Sequence, residues 1–156
     1  MSAPAAALHA TCLVLGEAGV LIVGGSGVGK TSLATALIDD AQRRGGFARL
    51  VADDRVRLVA AGGRLLARPH PAIAGRVELR YGGIAATAHE PAVTLRLVID
   101  LSGTAAQRLP ETQTGQVDYC GISLPCLHLP AVAPGEIPVS NLRAAMDLVR
   151  SAAKLG

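Results

Sequence analysis

The stretch VLIVGGSGVGKTSLATALI, Val20–Ile38, decides the fold. An apolar run long enough for one buried strand meets a glycine cluster. A Lys and a Thr follow, and then Leu33, Ala34, Leu37 and Ile38 recur at helical spacing. Residues 24–31, GGSGVGKT, fit G-x-x-x-x-G-K-[ST] between a predicted strand and a predicted helix. Each part has a physical reason. Glycines let successive backbone N–H groups turn inward toward phosphate oxygens. The helix start adds partial positive charge. Lys30 reaches the outer phosphates, and the Thr31 hydroxyl suits a Mg²⁺ ligand. The chain has only two lysines, Lys30 and Lys154, against thirteen arginines, so a Lys in this frame is hard to ascribe to chance. Gly24, Gly25, Ser26, Gly27, Val28, Gly29, Lys30 and Thr31 are therefore expected to cradle a nucleotide's phosphates.

Working outward, TCLVL and VLIVG read as two strands around a turn at Gly16–Gly19, and the helix after Lys30 should stop at Gly45-Gly46. ARLVADD is a short strand ending in two acids. VRLVA and RLLAR form a predicted hairpin around Gly62-Gly63, and residues 69–75 a loop. Ala92–Asp100 is another strand, whereas Ser102–Asp118 looks polar and irregular. YCGISLPCLHLP is expected to be an edge hairpin, because Pro125 cannot donate to a central ladder. Ser140 is placed to cap a last helix. The order predicts an α/β fold: a single P-loop domain over residues 1–156, with a mixed, partly antiparallel sheet and few helices.

Composition narrows the function. The 156 residues suffice for one domain with a core, and half of them are hydrophobic. One Phe, two Tyr and no Trp leave no aromatic platform for stacking bases, which argues against single-stranded nucleic acid as a partner. The net charge of +3 is spread along the chain. Cys12, Cys120 and Cys126 are an odd number without a disulfide pattern, which fits a reducing compartment. The spacing of Cys120, Cys126 and His128 is unusual for zinc. The N-terminus lacks a basic leader, and the apolar stretch 8–23 is broken by Gly16, Glu17 and Gly19. A cytoplasmic protein without a membrane span is expected.

Proteins that bind phosphates through such a loop differ in the acids that follow. Here Asp53 and Asp54 stand 23 and 24 residues after Lys30. An acid at the end of a neighbouring strand can serve Mg²⁺, and a second one can take a proton from an attacking hydroxyl. A simple turn-initiating Asp-Asp pair fits the same spacing.

With these residues in place, the sequence resembles the catalytic domain of HPr kinase/phosphorylase. His9 lies 21 residues before Lys30, LVADDRV follows the glycine loop, and Glu78 lies 24 residues after Asp54 inside VELRYGG. QRLPE, with Arg108, and PGEIPVSNLRAAM match further family segments, so the likeness runs from about Leu8 to Met146. The resemblance implies an ATP-dependent serine kinase for HPr-type phosphocarrier proteins of the phosphotransferase system, in a short form without a separate N-terminal domain. It also implies a homo-oligomer, usually a hexamer. Many members run a phosphate-dependent dephosphorylation that releases pyrophosphate. The implied roles are Asp54 as the proton acceptor with His9 beside it, and Lys30 and Arg108 on the transferring phosphate. Thr31 and Glu78 would be Mg²⁺ ligands, with Asp53 in the metal shell.

The chain departs from the family's pattern in places. APGEI, residues 133–137, puts Ala133 and Glu136 where the family commonly has arginines, so a weak or lost phosphorylase activity is expected. Tyr81 interrupts the VELRYGG signature, and the added AQRRGG stretch lengthens the connection to VADD. Alternatives stay open at this point: a P-loop kinase for another substrate, or an ATP-binding regulatory module without turnover.

Overall fold

The computed structural model describes residues 6–25, 27–69, 77–79, 83–85, 92–103, 114–131, 143 and 145–151. Among them, the chain runs β1 (Ala6–Leu8), β2 (Ala10–Leu15), β3 (Ala18–Val23), α1 (Lys30–Arg43), β4 (Ala48–Ala52), β5 (Val56–Ala61) and β6 (Arg64–Pro69). It continues through β7 (Val77–Leu79), β8 (Gly83–Ala85), β9 (Val93–Gly103), β10 (Thr114–Tyr119) and β11 (Ile122–Pro130). A second helix, α2, is seen at 143 and 145–151.

Nine strands share one sheet in the order β1-β5-β6-β9-β3-β2-β4, with β11 also on β9 and β10 on β11. β9 is parallel to both β3 and β11. The other pairings in this sheet are antiparallel. The expected α/β class with a mixed sheet and few helices is what the chain adopts. β7 and β8 form a separate two-stranded ribbon.

The sheet separates two apolar clusters. On one face, Leu13, Leu15, Val20, Ile22, Leu97 and Ile99 pack against Leu33, Ala34, Leu37 and Ala41 of α1 and against Ala145 and Val149 of α2. On the other, Cys12, Val14, Leu21, Val98 and Cys126 pack with Val56, Leu58, Leu65 and Ala67 of the β5–β6 hairpin. The period-two alternation along β2 and β3 sends successive residues to opposite clusters. α1 closes with Gly46 N–H donating to Ala41 O and Gly45 N–H to Gln42 O. This six-to-one and five-to-two pair is the Schellman pattern, and it ends the helix where Gly45-Gly46 predicted.

Register shifts occur in three pairings, β3–β9, β2–β4 and β11–β9. Between β3 and β9 the pairing passes from Gly19↔Leu95 to Val20↔Leu97, leaving Arg96 as an extra residue. Leu95 and Leu97 therefore face opposite clusters although they are two residues apart. At this bulge the strands approach so closely that a Cβ on Gly19 would lie 2.5 Å from the Thr94 carbonyl oxygen. Gly19→Ala must push two central strands apart. It is expected to destabilise the protein by about 1–3 kcal/mol, the usual range for overpacking, read as a lowered denaturation midpoint.

β9 runs on to Gly103 and Thr114–Asp118 is strand, so only residues 104–113 of the segment expected to be irregular lie outside the described residues. The expected edge hairpin forms: β10 pairs with β11 alone, and β11 has partners on both sides only at Cys126 and Leu127. Pro125 is tolerated because it precedes the β9 pairing and faces only Gln116 of β10. β1, unanticipated, adds to β5. Ser140, the expected cap of the last helix, lies outside the described residues.

Candidate functional site

β3 delivers the glycine loop at one end of the sheet, and α1 begins directly after it. Gly29 is the N-cap residue in a left-handed conformation, φ 96°, and supplies no side-chain cap. No acid stands in the first turn of α1. The opening N–H groups and the positive end of the helix dipole thus meet no protein carboxylate in that turn, as an anion site requires. Glycine is needed at position 24 on steric grounds too: φ is 150°, and a Cβ would meet Val28 Cγ2 at 2.7 Å. The Lys30 ammonium folds back over the loop, donating to Gly24 O at 3.0 Å and Gly25 O at 2.8 Å. Ser26 lies outside the described residues.

The acids arrive from β4, and a bulge sets their phase. β2 pairs with β4 as Leu13↔Leu50 and then Cys12↔Ala52, so Val51 is an extra residue. Leu50 packs toward α1, whereas Val51 and Ala52 both join the opposite cluster. An unbroken ladder would continue from Leu13↔Leu50 to set Asp54 on the α1 face. The extra residue instead brings Asp53 opposite Thr11. Bulges beside functional sites commonly re-aim side chains in this way.

The hydrogen bonds follow that phase. Asp53 Oδ1 accepts from Thr31 Oγ1 at 3.0 Å and from Thr11 Oγ1 at 2.8 Å. Asp54 takes the other direction. Its φ of 78° is left-handed, a conformation Asp tolerates better than most residues. Its carboxylate meets His9 Nδ1 at 3.4 Å, with side chains 78% and 74% exposed. So exposed a pair adds little stability, but it is open to a large partner.

The sequence-predicted residues therefore fall into three groups. Lys30, Thr31 and Asp53 come together at the loop, with Gly24, Gly25, Gly27, Val28 and Gly29 forming its described backbone. His9 and Asp54 form a solvent-facing pair carried by the segments that also bring Thr11 and Asp53. Glu78 lies on β7, backbone-paired with Ile84, its side chain outside the described residues; Arg108 lies outside them as well. Sequence reasoning missed Thr11. Nothing local marks it, because its partner Asp53 stands 42 residues away in the chain.

Thr31 and Asp53 supply hard oxygen donors of the kind Mg²⁺ uses, an ion that keeps several waters and needs few protein ligands. Among the described residues, no group of three or more His, Cys, Asp or Glu side chains is placed to hold a metal. Burial pushes the Cys126 thiol up to about 11 and the Cys12 thiol higher still. Both stay protonated near neutrality and are poor nucleophiles. No helix among the described residues is long and apolar enough to cross a membrane.

Residues 1–154 match the family model described as HPr Serine kinase C-terminal domain. The HPr kinase/phosphorylase of Treponema pallidum (strain Nichols) is 33% identical over 159 residues, covering 93% of this chain and 47% of that protein. The protein of the same name from a second strain, of Treponema pallidum subsp. pallidum, gives the same identity and coverage. The chain thus spans about half the length of the curated relatives it matches. The solved Hpr(Ser) kinase/phosphatase from Coxiella burnetii overlays with a TM-score of 0.73 at 24% identity, covering 96% of this chain and 98% of that one. That likeness is one of fold.

Proposed function

The chain belongs to the HPr serine kinase C-terminal domain family, and from that premise we propose that it is an ATP-dependent serine kinase acting on an HPr-type phosphocarrier protein. The observation that carries this reading is the division of labour between the two adjacent acids. Asp53 is held at the phosphate loop by Thr31, and Asp54 is turned out beside His9. A module that only bound nucleotide would need the first arrangement and not the second.

The chemistry follows from these positions. The glycine-loop N–H groups and Lys30 hold the β- and γ-phosphates and offset the charge that grows during transfer. Thr31, Asp53 and Glu78 would hold Mg²⁺, which would supply positive charge to the phosphates. Asp54 accepts the proton of the incoming serine hydroxyl as its oxygen bonds to the γ-phosphorus and the bond to the ADP oxygen breaks. His9 shares a hydrogen bond with Asp54 and so orients its carboxylate. Arg108 is assigned to the charge on the transferring phosphate. The exposure of His9 and Asp54 fits a substrate that is itself a folded protein.

In reverse, inorganic phosphate would attack phosphoserine to give pyrophosphate and free serine, with Asp54 returning the proton. Glu136 and Ala133, in place of the family's common arginines, would repel or fail to hold that anion, so the reverse reaction should be weak. The remaining proposals are cytoplasmic localisation, a hexameric homo-oligomer, one domain over residues 1–156, and neither nucleic acid nor membrane as partner.

The test uses purified protein, γ-labelled ATP, Mg²⁺, an HPr-type carrier and the same carrier with its target serine changed to Ala. Label is expected on the intact carrier alone, and excess phosphate should remove it slowly if at all. Nucleotide binding with no label on either carrier would overturn the kinase assignment. It would favour a regulatory module or a kinase for another substrate. Rapid phosphate-dependent release would overturn the assignment of a weakened reverse reaction.

A further inference from the structure

Thr11 is the one polar residue fully buried among the described residues, at 1% exposure. Its strand neighbours Ala10, Cys12, Leu13 and Val14 are buried and apolar. Val would have the same shape and a higher affinity for that surrounding, so packing alone gives no reason for a hydroxyl here. The reason lies across the ladder. Thr11 Oγ1 donates to Asp53 Oδ1 at 2.8 Å, and Thr31 Oγ1 donates to the same oxygen at 3.0 Å.

We propose that Thr11 is a positioning residue, whose buried hydroxyl holds the Asp53 carboxylate in the orientation from which it serves the metal position at Thr31. The inference rests on the kinase reading above. Thr31 alone cannot do this: it is exposed, on the first turn of α1, and its hydroxyl is itself assigned to the metal. Thr11 sits on β2, paired on both sides by β3 and β4, and such supporting hydrogen bonds are what fix a ligand's rotamer. With two hydroxyls on Oδ1, the carboxylate's second oxygen is uncommitted among the described residues. The Val51 bulge supplies the phase and Thr11 the anchor. Together they assign Asp53 to the metal and leave Asp54 to face solvent with His9.

The test compares wild type, Thr11→Val and Thr11→Ser. Affinity for a fluorescent ATP analogue is measured without divalent metal, and Mn²⁺ affinity of the nucleotide-saturated protein by electron paramagnetic resonance. Loss of a supporting hydrogen bond to a ligand typically lowers metal affinity by about 10- to 100-fold. Thr11→Val is expected to weaken Mn²⁺ by about tenfold or more, leaving metal-free nucleotide affinity within about twofold. Thr11→Ser, which keeps the donor, should restore Mn²⁺ affinity to near wild type. Unchanged Mn²⁺ affinity in Thr11→Val, or failure of Thr11→Ser to restore it, overturns the positioning role. A parallel loss of metal-free nucleotide affinity also overturns it, since that would mark a general disturbance. Wild-type protein that binds neither nucleotide nor Mn²⁺ overturns the kinase reading and this inference with it. Wild-type protein that binds both while Thr11→Val matches it overturns the inference alone.

Discussion

Asp54→Asn is expected to abolish most phosphotransfer while leaving nucleotide affinity close to wild type. The amide keeps the size of the carboxylate and its capacity to meet His9, but it cannot accept the serine proton. Loss of a general base usually lowers the rate by about 10²-fold or more. The geometry makes the separation of effects specific. The Asp54 carboxylate meets His9, and it is Asp53 that meets Thr31. The left-handed backbone at 54 is one that Asn adopts as readily as Asp, so the substitution adds no strain. Single-turnover transfer and a direct nucleotide titration on the same preparation provide the check. Unchanged transfer would remove Asp54 from the proton-transfer role. A joint fall in affinity and rate would place it in the nucleotide site instead.

Lys30→Ala should behave differently, with binding and turnover falling together. The Lys30 ammonium is positioned at the loop by the Gly24 and Gly25 carbonyls. Its charge-assisted bonds to phosphate are worth about 1.5–3 kcal/mol, roughly a ten- to hundredfold weakening of nucleotide. Turnover should fall further, by about 10²-fold or more beyond saturation, because charge on the phosphoryl group grows in the transition state. Thermal denaturation without ligand separates this from unfolding. Lys30 caps its own loop, so a modest loss of stability is compatible with the assignment. A wild-type nucleotide titration with Lys30→Ala would refute it.

Much of this arrangement was readable from local pattern. The glycine loop announced itself because the backbone conformations a phosphate cradle needs are ones only glycine adopts freely. The switch from strand to helical periodicity around it located β3 and α1. The Gly45-Gly46 stop held because a Schellman closure is made from residues adjacent in sequence. The strand ending at Asp53-Asp54 was legible for the same reason. β10 was harder to see. Its residues Thr114–Asp118 are polar, and they become strand because β11 offers a ladder, not because of their own propensity. Pro125 was a sound mark of the edge hairpin: at that position β11 pairs with β10 alone, and β9 joins one residue later.

The sequence by itself determined that a phosphate-binding loop joins a strand to a helix, that two adjacent acids follow on a short strand, and that a His precedes them all. It could not determine which acid faces the loop. Along an isolated strand Asp53 and Asp54 simply point opposite ways, and either could be the one turned toward Thr31. That choice is made by the extra residue at Val51, and a bulge exists only as a mismatch between two paired strands. Thr11 was invisible for the same cause. Its meaning lies in a hydrogen bond to a residue 42 positions away, and only the register of β2 on β4 brings the two together.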